Sequence, residues 1–361
     1  MNKKFKFFKI PTEQEIKYLW ENCIFVFDTN ILLDLYRFSE TTRKDFLKIL
    51  KYISDRIWIP YQVGFEFYNN RIDVIKGEID KYDKFIDNIK TTLNKSENEI
   101  VSKKSHPYLD LKLINNISNM IEEENENINN EKNKLKDLLN NDLIESELDK
   151  LFEDKIGEKF SDEDLKKILI EGEYRFNNKI PPGYEDFKDK SGIRKYGDLI
   201  IWFEIIKMSK MKQKPILFII EDSKKDWWKN YKVKNFSTPR PELIQEFNSK
   251  SLQEFYMYKI ADFMSQSQHY LNQEIDPQSI EEVKVTKTNE EMDIRKFITL
   301  IKNNDLNNYK NLILINNLLS EANSNEMYIK NSKIYEDLLK LFDKKSKDND
   351  AENTENEDPI D

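Results

Sequence analysis

Two stretches restrict what this chain can fold into. Ile24-Phe25-Val26-Phe27 and Ile216-Leu217-Phe218-Ile219-Ile220 are unbroken apolar runs, rich in aromatic and β-branched residues. Such runs read as strands buried on both faces, which points to a parallel sheet between helical layers. Each run stops at acid, the first at Asp28 and the second at Glu221-Asp222. Strands of a parallel sheet end on a shared edge, and that edge is where open α/β sheets hold their ligands. The question for the rest of the chain is whether it brings more carboxylates there.

Two further acids qualify. Ile57-Trp58-Ile59-Pro60 reads as a short strand closed by proline, followed by a helix over 61–72. Val63 and Phe67 mark that helix's buried face, and Glu66 shares the face with Val63 at i, i+3. A glutamate there is a site residue, an exposed side chain or a partner of Arg71. Gly197-Asp198 opens a strongly apolar helix (Leu199, Ile200, Trp202, Phe203, Ile205, Ile206), and Asp198 stands where an N-cap would stand. Asp226 follows Asp222 by four residues, so a helical turn would set both on one face, with Trp227-Trp228 packing that turn against the sheet.

The remaining segments frame this set. Thr12 with Glu15 has the form of a capping box for a helix to Trp20. Asp28-Thr29-Asn30 turns the chain into a helix through about Phe38, and a second helix covers about 41–53. From 73 to 180 the pattern changes to a long helical hairpin. Ile114, Ile117, Ile121, Ile128, Leu135 and Leu138 fit a weak coiled-coil seam, although Glu124 and Glu131 occupy two of its core positions. Pro181-Pro182-Gly183-Tyr184 closes this insertion, and Pro239-Arg240-Pro241-Glu242-Leu243 starts another helix. The domain reading is therefore a split α/β domain over 1–72 and 181–250, a helical insertion over 73–180, a C-terminal helical region over 251–342, and a disordered acidic tail over 343–361. Residues 251–271 and 293–340 are expected to be helical.

Composition narrows the chemistry. With one cysteine, Cys23, and two histidines in 361 residues, neither an intrachain disulfide nor a Cys/His zinc site is available, and His-based acid–base catalysis is disfavoured. No apolar stretch reaches the length of a signal peptide or membrane span, so a cytoplasmic protein is expected. The net charge of −9 hides an uneven distribution. Residues 1–72 carry +3 and 194–240 carry +7, whereas the tail 343–361 carries −5. The acids of interest thus lie in the two basic segments, and phosphate contact depends on local field rather than on the chain total.

Jointly, Asp28, Glu66, Asp198 and Asp222 form a set of carboxylates that repel one another and require cations. Ligands offering only oxygen favour Mg²⁺ or Mn²⁺. The matching reaction is phosphodiester hydrolysis, in which the metal activates water and neutralises the phosphate without a serine or cysteine nucleophile.

The same residues carry a resemblance. Phe27-Asp28-Thr29-Asn30, Val63-Gly64-Phe65-Glu66, Tyr196-Gly197-Asp198-Leu199-Ile200 and Phe218-Ile219-Ile220-Glu221-Asp222 resemble the four acidic motifs of PIN-domain nucleases. Pro181–Tyr184, Asp222–Trp228 and Arg240–Leu243 are similar to features of a bacterial PIN-like subgroup, and the resemblance spans about 20–250. It implies a three-layer α/β/α, Rossmann-like domain with a central parallel sheet, carrying the helical insertion and the C-terminal helical region. It also implies a metal-dependent nuclease, usually acting on RNA. Carried over, Asp28, Glu66, Asp198 and Asp222 are the catalytic metal ligands, Asn30 orients Asp28 or a water, and Asp226 is an auxiliary acid. Ile220 departs from the Thr or Ser common two residues before the last acid, and strand alternation turns Glu221 away from Asp222.

The expected protein is a PIN-type endoribonuclease using Mg²⁺ or Mn²⁺, with Arg194, Lys195, Lys224 and Lys225 holding phosphates. Its RNA is single-stranded or structured, and relatives of this kind act as toxins or in antiviral defence. A protein partner or a second copy would dock on the helical insertion; no membrane partner is expected. The alternatives are a structure-selective DNA nuclease and a catalytically weak adaptor in a larger assembly.

Overall fold

The computed structural model describes residues 5–102, 119, 122, 128–185, 191–222, 224–231 and 236–287. The chain divides into two compact units, Met1–Lys76 with Asp137–Thr288, and Gly77–Lys136 with Asn289–Asp361. The first unit holds a four-stranded parallel sheet in the order β2-β1-β3-β6, formed by β1 (Ile24–Phe27), β2 (Ile57–Trp58), β3 (Ile216–Ile219) and β6 (Phe255–Tyr258). Phe27 pairs with Ile219 and Ile219 with Tyr258, so the carboxyl ends of the three longer strands lie level.

Both faces of the sheet are covered, as the apolar runs require. On one face Phe27 meets Phe46 of α3 (Glu40–Tyr52) and Phe263 of α10 (Ile260–Tyr270), with ring centroids 6.0 and 5.7 Å away. On the same face Trp20 of α1 (Glu13–Asn22) packs edge-on to Phe25 at 5.4 Å. On the other face Phe218 meets Trp227 at 5.6 Å. Trp202 of α8 (Gly197–Lys212) meets Phe247 of α9 (Pro241–Ser251) at 5.7 Å and Phe255 at 5.1 Å. The result is the expected three-layer α/β/α arrangement around a central parallel sheet.

Several elements differ from expectation. The helix after β2, α4 (Tyr61–Ser102), does not stop at 72 but continues, because Ile75 and Ile79 prolong its buried stripe and no proline interrupts it. Within the stretch 251–271, expected to be helical, Phe255–Tyr258 is the fourth strand. Phe255 and Met257 are buried while Tyr256 and Tyr258 are half-buried, so a period of two overrides the helical reading of its flanks. An antiparallel pair, β4 (Trp228–Tyr231) and β5 (Phe236–Pro239), follows Asp222–Trp227.

Residues 137–180, read from sequence as insertion, group with the first unit. They carry α6 (Leu143–Phe152) and α7 (Asp162–Asn177). Arg71 pairs with Asp142 at 2.8 Å and Glu145 at 2.9 Å, and Ile59 exchanges backbone hydrogen bonds with Lys155 and Gly157. In the second unit, α4 beyond Gly77 and the helical residues 128–138 (α5) are described, with an ion pair between Lys132 and Asp83. The seam positions Ile114, Ile117, Ile121 and Glu124 lie outside the described residues, as do the helix expected over 293–340 and the tail 343–361. The helix α11 (Pro277–Lys287) packs on α3 and α10. Among the described residues no helix is long and apolar enough to cross a membrane.

Candidate active site

Asp28 ends β1 and is nearly buried, 8% exposed. Its backbone N–H donates to the carbonyl of Ile219 at 2.9 Å, so sheet pairing runs up to the acid itself. The next helix, α2 (Thr29–Leu33), begins at once, which holds the carboxyl at the sheet's edge. Burial pushes its pKa up to about 8, and the charges of Asp198, Glu66 and Asp222 push in the same direction. The amide of Thr29 opposes the shift. The four acids that the sequence singled out thus lie within electrostatic reach of one another, converging on one edge from β1, α4, α8 and the end of β3.

Each of the other three is held by named donors. Glu66 Oε2 accepts from the hydroxyl of Thr29 at 3.0 Å and Oε1 from the side-chain amide of Gln62 at 2.8 Å. Its pairing with Arg71, one of the sequence alternatives, does not occur: that guanidinium is with Asp142 and Glu145. Asp198 lies in the first turn of α8, whose N-cap is Tyr196 and whose start has no side-chain cap. The capping role that would have explained this aspartate is therefore absent, and its Oδ2 accepts from the indole N–H of Trp227 at 3.3 Å. Asp222 leaves β3 in a turn that brings the backbone N–H of Lys224 to Oδ1 at 2.7 Å and its ammonium to Oδ2 at 2.8 Å. Glu221 points away from this group and accepts the N–H of Ile260 at 3.2 Å.

Glycine makes the convergence possible at one point. A Cβ on Gly197 would stand 2.8 Å from Oε1 of Glu66, so α8 begins against the α4 carboxylate only because no side chain intervenes. Asn30 extends its amide to Oδ2 of Asp28 at 3.4 Å, a long contact from an exposed side chain. Asp226 is fully buried in a turn rather than on a helix shared with Asp222. Its Oδ2 accepts the N–H groups of Gly183 at 2.9 Å and Glu185 at 3.3 Å, so it fastens the 181–185 loop beside the acids. Burial raises its pKa, the two backbone donors lower it, and Asp222 adds to the rise.

The four basic residues are placed differently from one another. Arg194 is exposed in the 3-10 turn Gly192–Tyr196 that leads into α8. Lys195 in the same turn pairs with Glu173 at 2.7 Å. Lys224 pairs with Asp222, and Lys225 with Glu185 at 3.5 Å.

Sequence reasoning missed Gln62 and Glu204. Glu204 is buried in the middle of α8, and its Oε2 accepts the backbone N–H of Gln62 at 3.1 Å. Burial lifts its pKa to about 7 against the pull of that N–H and of Lys207, and Glu66 adds a smaller push upward. A lone acid inside the run Leu199–Ile206 was the available signal.

The donor chemistry fits a hard divalent cation: four anionic oxygen groups, one of them deeply buried, whose mutual repulsion a cation would relieve. Their oxygens are turned to protein partners, and among the described residues no three Asp, Glu, His or Cys side chains stand as a ready coordination sphere. Among protein families, one described as PIN like domain matches residues 24–243, about three-fifths of the chain, and that span takes in all four carboxylates. No curated protein and no solved structure matches the chain.

Proposed function

The chain belongs to the PIN-like domain family, and on that premise we propose that it is a divalent-metal-dependent endoribonuclease. PIN-like domains are nucleases as a class and usually use divalent metal ions, so the broad reading follows from membership. The observation that carries the metal-dependent reading is the convergence of Asp28, Glu66, Asp198 and Asp222 at the carboxyl edge of a parallel sheet, where Asp28 is buried and its pKa is raised by burial and by the other three acids.

Asp28, Glu66, Asp198 and Asp222 would hold Mg²⁺ or Mn²⁺. Bound there, the ion supplies Lewis acidity toward the scissile phosphate and the attacking water. The chain's own residues prepare that site. The Thr29 hydroxyl and the Gln62 amide fix both oxygens of Glu66. Trp227 orients Asp198 through one N–H, and the Asn30 amide reaches Asp28. Burial of Asp28 by the sheet limits water around it and strengthens its electrostatic coupling. Arg194, Lys195, Lys224 and Lys225 supply positive charge for the flanking phosphates. The exposed pair of Lys225 with Glu185 exchanges for a phosphate at little cost. The basic balance of 194–240 supports a nucleic-acid strand there, and RNA is the preferred substrate on family grounds. The role this chemistry suits is damage to RNA by a toxin or an antiviral effector.

The test is cleavage of labelled single-stranded RNA and DNA by the purified chain in Mn²⁺, Mg²⁺ or EDTA, beside Asp28→Asn. Cleavage of RNA that requires metal and disappears in the variant is the expected result. Preferential cleavage of DNA would move the reading to a DNA nuclease. Metal binding without cleavage of either would move it to an adaptor.

A further inference from the structure

Beside the carboxylates, α4 carries an aromatic face that the reaction as described does not use. Tyr61 and Phe65, one turn apart, stack with ring centroids 6.3 Å apart and planes 18° from parallel. Phe65 is 53% exposed. Gln62 and Glu66 follow them by one residue each, about 100° further round the helix. The aromatic stripe therefore runs alongside the stripe whose amide and carboxylate meet at 2.8 Å and against which Gly197 is seated. Core contact for this stretch comes from Val63 and Phe67, on yet another side, so the stacked pair is not needed to anchor the helix.

We propose that Phe65, backed by Tyr61, is a stacking surface for an unpaired base of the strand whose phosphate lies at the carboxylates. The proposal rests on the nuclease reading and adds to it the residue that selects single strands. Three features favour this occupant over another protein. The face runs along α4 next to the Gln62–Glu66 stripe, on the helix that supplies one of the four acids. The turn that leads into Gly197, Gly192–Tyr196, carries the exposed Arg194 and Ile193, and cations interleaved with open aromatic or apolar side chains are what single-strand grooves present. A ring already stacked on a second ring is held in one orientation, so an incoming base finds a prepared surface rather than a mobile side chain. A duplex cannot use such a surface, because its bases are stacked on one another and offer only their edges.

The test uses the full chain carrying Asp28→Asn, so that binding is read without cleavage. Affinities for a short labelled single-stranded RNA and for the matching duplex are measured by fluorescence anisotropy in Mg²⁺. Phe65→Ala in that background should weaken single-strand binding about 5- to 100-fold, the range for loss of one base–aromatic stack. Phe65→Trp should retain or strengthen it, and duplex binding should stay within about twofold in both. Single-strand affinity unchanged by Phe65→Ala, an equal loss on duplex, or no single-strand binding at all overturns the proposal. A change in oligomeric mass with Phe65→Ala and no change in RNA affinity overturns it in favour of self-association. Wild-type cleavage with unchanged Phe65→Ala binding removes the stacking surface and leaves the nuclease standing. Phe65-dependent binding by a chain that cleaves nothing does the reverse.

Discussion

The indole N–H of Trp227 donates to Oδ2 of Asp198 across 3.3 Å, and the neighbouring Asp226 fastens Gly183 and Glu185 on the same side. A turn after the last acid thus reaches back to hold the third. The tryptophan also fills the core between Phe218 and Trp202, so its two roles are separable by substitution.

Trp227→Phe keeps most of the ring and removes the N–H. One hydrogen bond to a charged carboxylate, made at a long distance, is worth about 1–2 kcal/mol. The expected outcome is an activity loss of roughly 5- to 30-fold, a weaker Mn²⁺ midpoint by isothermal titration, and a Tm within a few degrees of wild type. Trp227→Ala should instead destabilise by about 3–5 kcal/mol through the cavity it leaves. Equal activity in wild type and Trp227→Phe would show that the indole only packs.

Gly197→Ala isolates the approach of α8 to Glu66. Gly197 has helical dihedrals (φ −50°, ψ −53°), so alanine is unstrained in the backbone. The added Cβ would meet Oε1 of Glu66 at 2.8 Å, and the carboxylate, being the flexible partner, must move. Stability should change little, since the propensity gain of alanine is small at the first helical position and the moved carboxylate weakens its bonds from Thr29 and Gln62. Activity should fall at least tenfold, because a displacement of this size at a reacting centre is costly. Full activity would mean that Glu66 is not among the ligands.

The parts of this site that could be read from sequence are those where one residue contradicts its surroundings. Asp28 and the pair Glu221-Asp222 stand out because each ends an unbroken apolar run, and the sheet level that joins them follows from parallel pairing. Phe255–Tyr258 did not stand out. Four residues are too few to display a period of two against helical flanks, and only pairing with Ile216–Ile219 makes them a strand. Glu204 also contradicts its apolar run, but one acid in a helix of that length reads as its wet face, and its burial depends on the N-terminus of α4, distant in sequence. Of the donors to Glu66, Gln62 stands one turn back on the same helix, whereas Thr29 comes from α2, a relation that no local pattern encodes.

Asp28 should make the metal-free protein sensitive to alkali. Its pKa rises from the ordinary 3.8 to about 8, first through burial and then through the other acids. A carboxyl raised on folding contributes stability below its unfolded pKa, and that contribution is lost as pH rises through the folded value. In EDTA, stability should fall between about pH 4 and pH 8, by at most about 6 kcal/mol from this group. Asp28→Asn should flatten that slope and melt higher than wild type at pH 8, while Mn²⁺ should restore the wild type alone. Parallel pH profiles of Tm for the two proteins in EDTA would remove the basis for a crowded carboxylate site.

Glu204 supplies the same kind of test away from the reacting edge. Its pKa rises from 4.5 to about 7 because burial outweighs the Gln62 N–H and Lys207, with Glu66 adding repulsion. Its contribution is therefore complete below about pH 4.5 and gone once the pH passes about 7. Glu204→Gln keeps an oxygen for the Gln62 N–H and removes the charge that α8 buries. Stability should change little at pH 5 and rise by about 1–3 kcal/mol at pH 8. Activity should stay within about threefold, since the amide still anchors the start of α4 and Gln62 still reaches Glu66. A Glu204→Gln protein less stable than wild type at pH 8 would show that the charge is favourable in place, through Lys207, and that the helix tolerates it because it is paired.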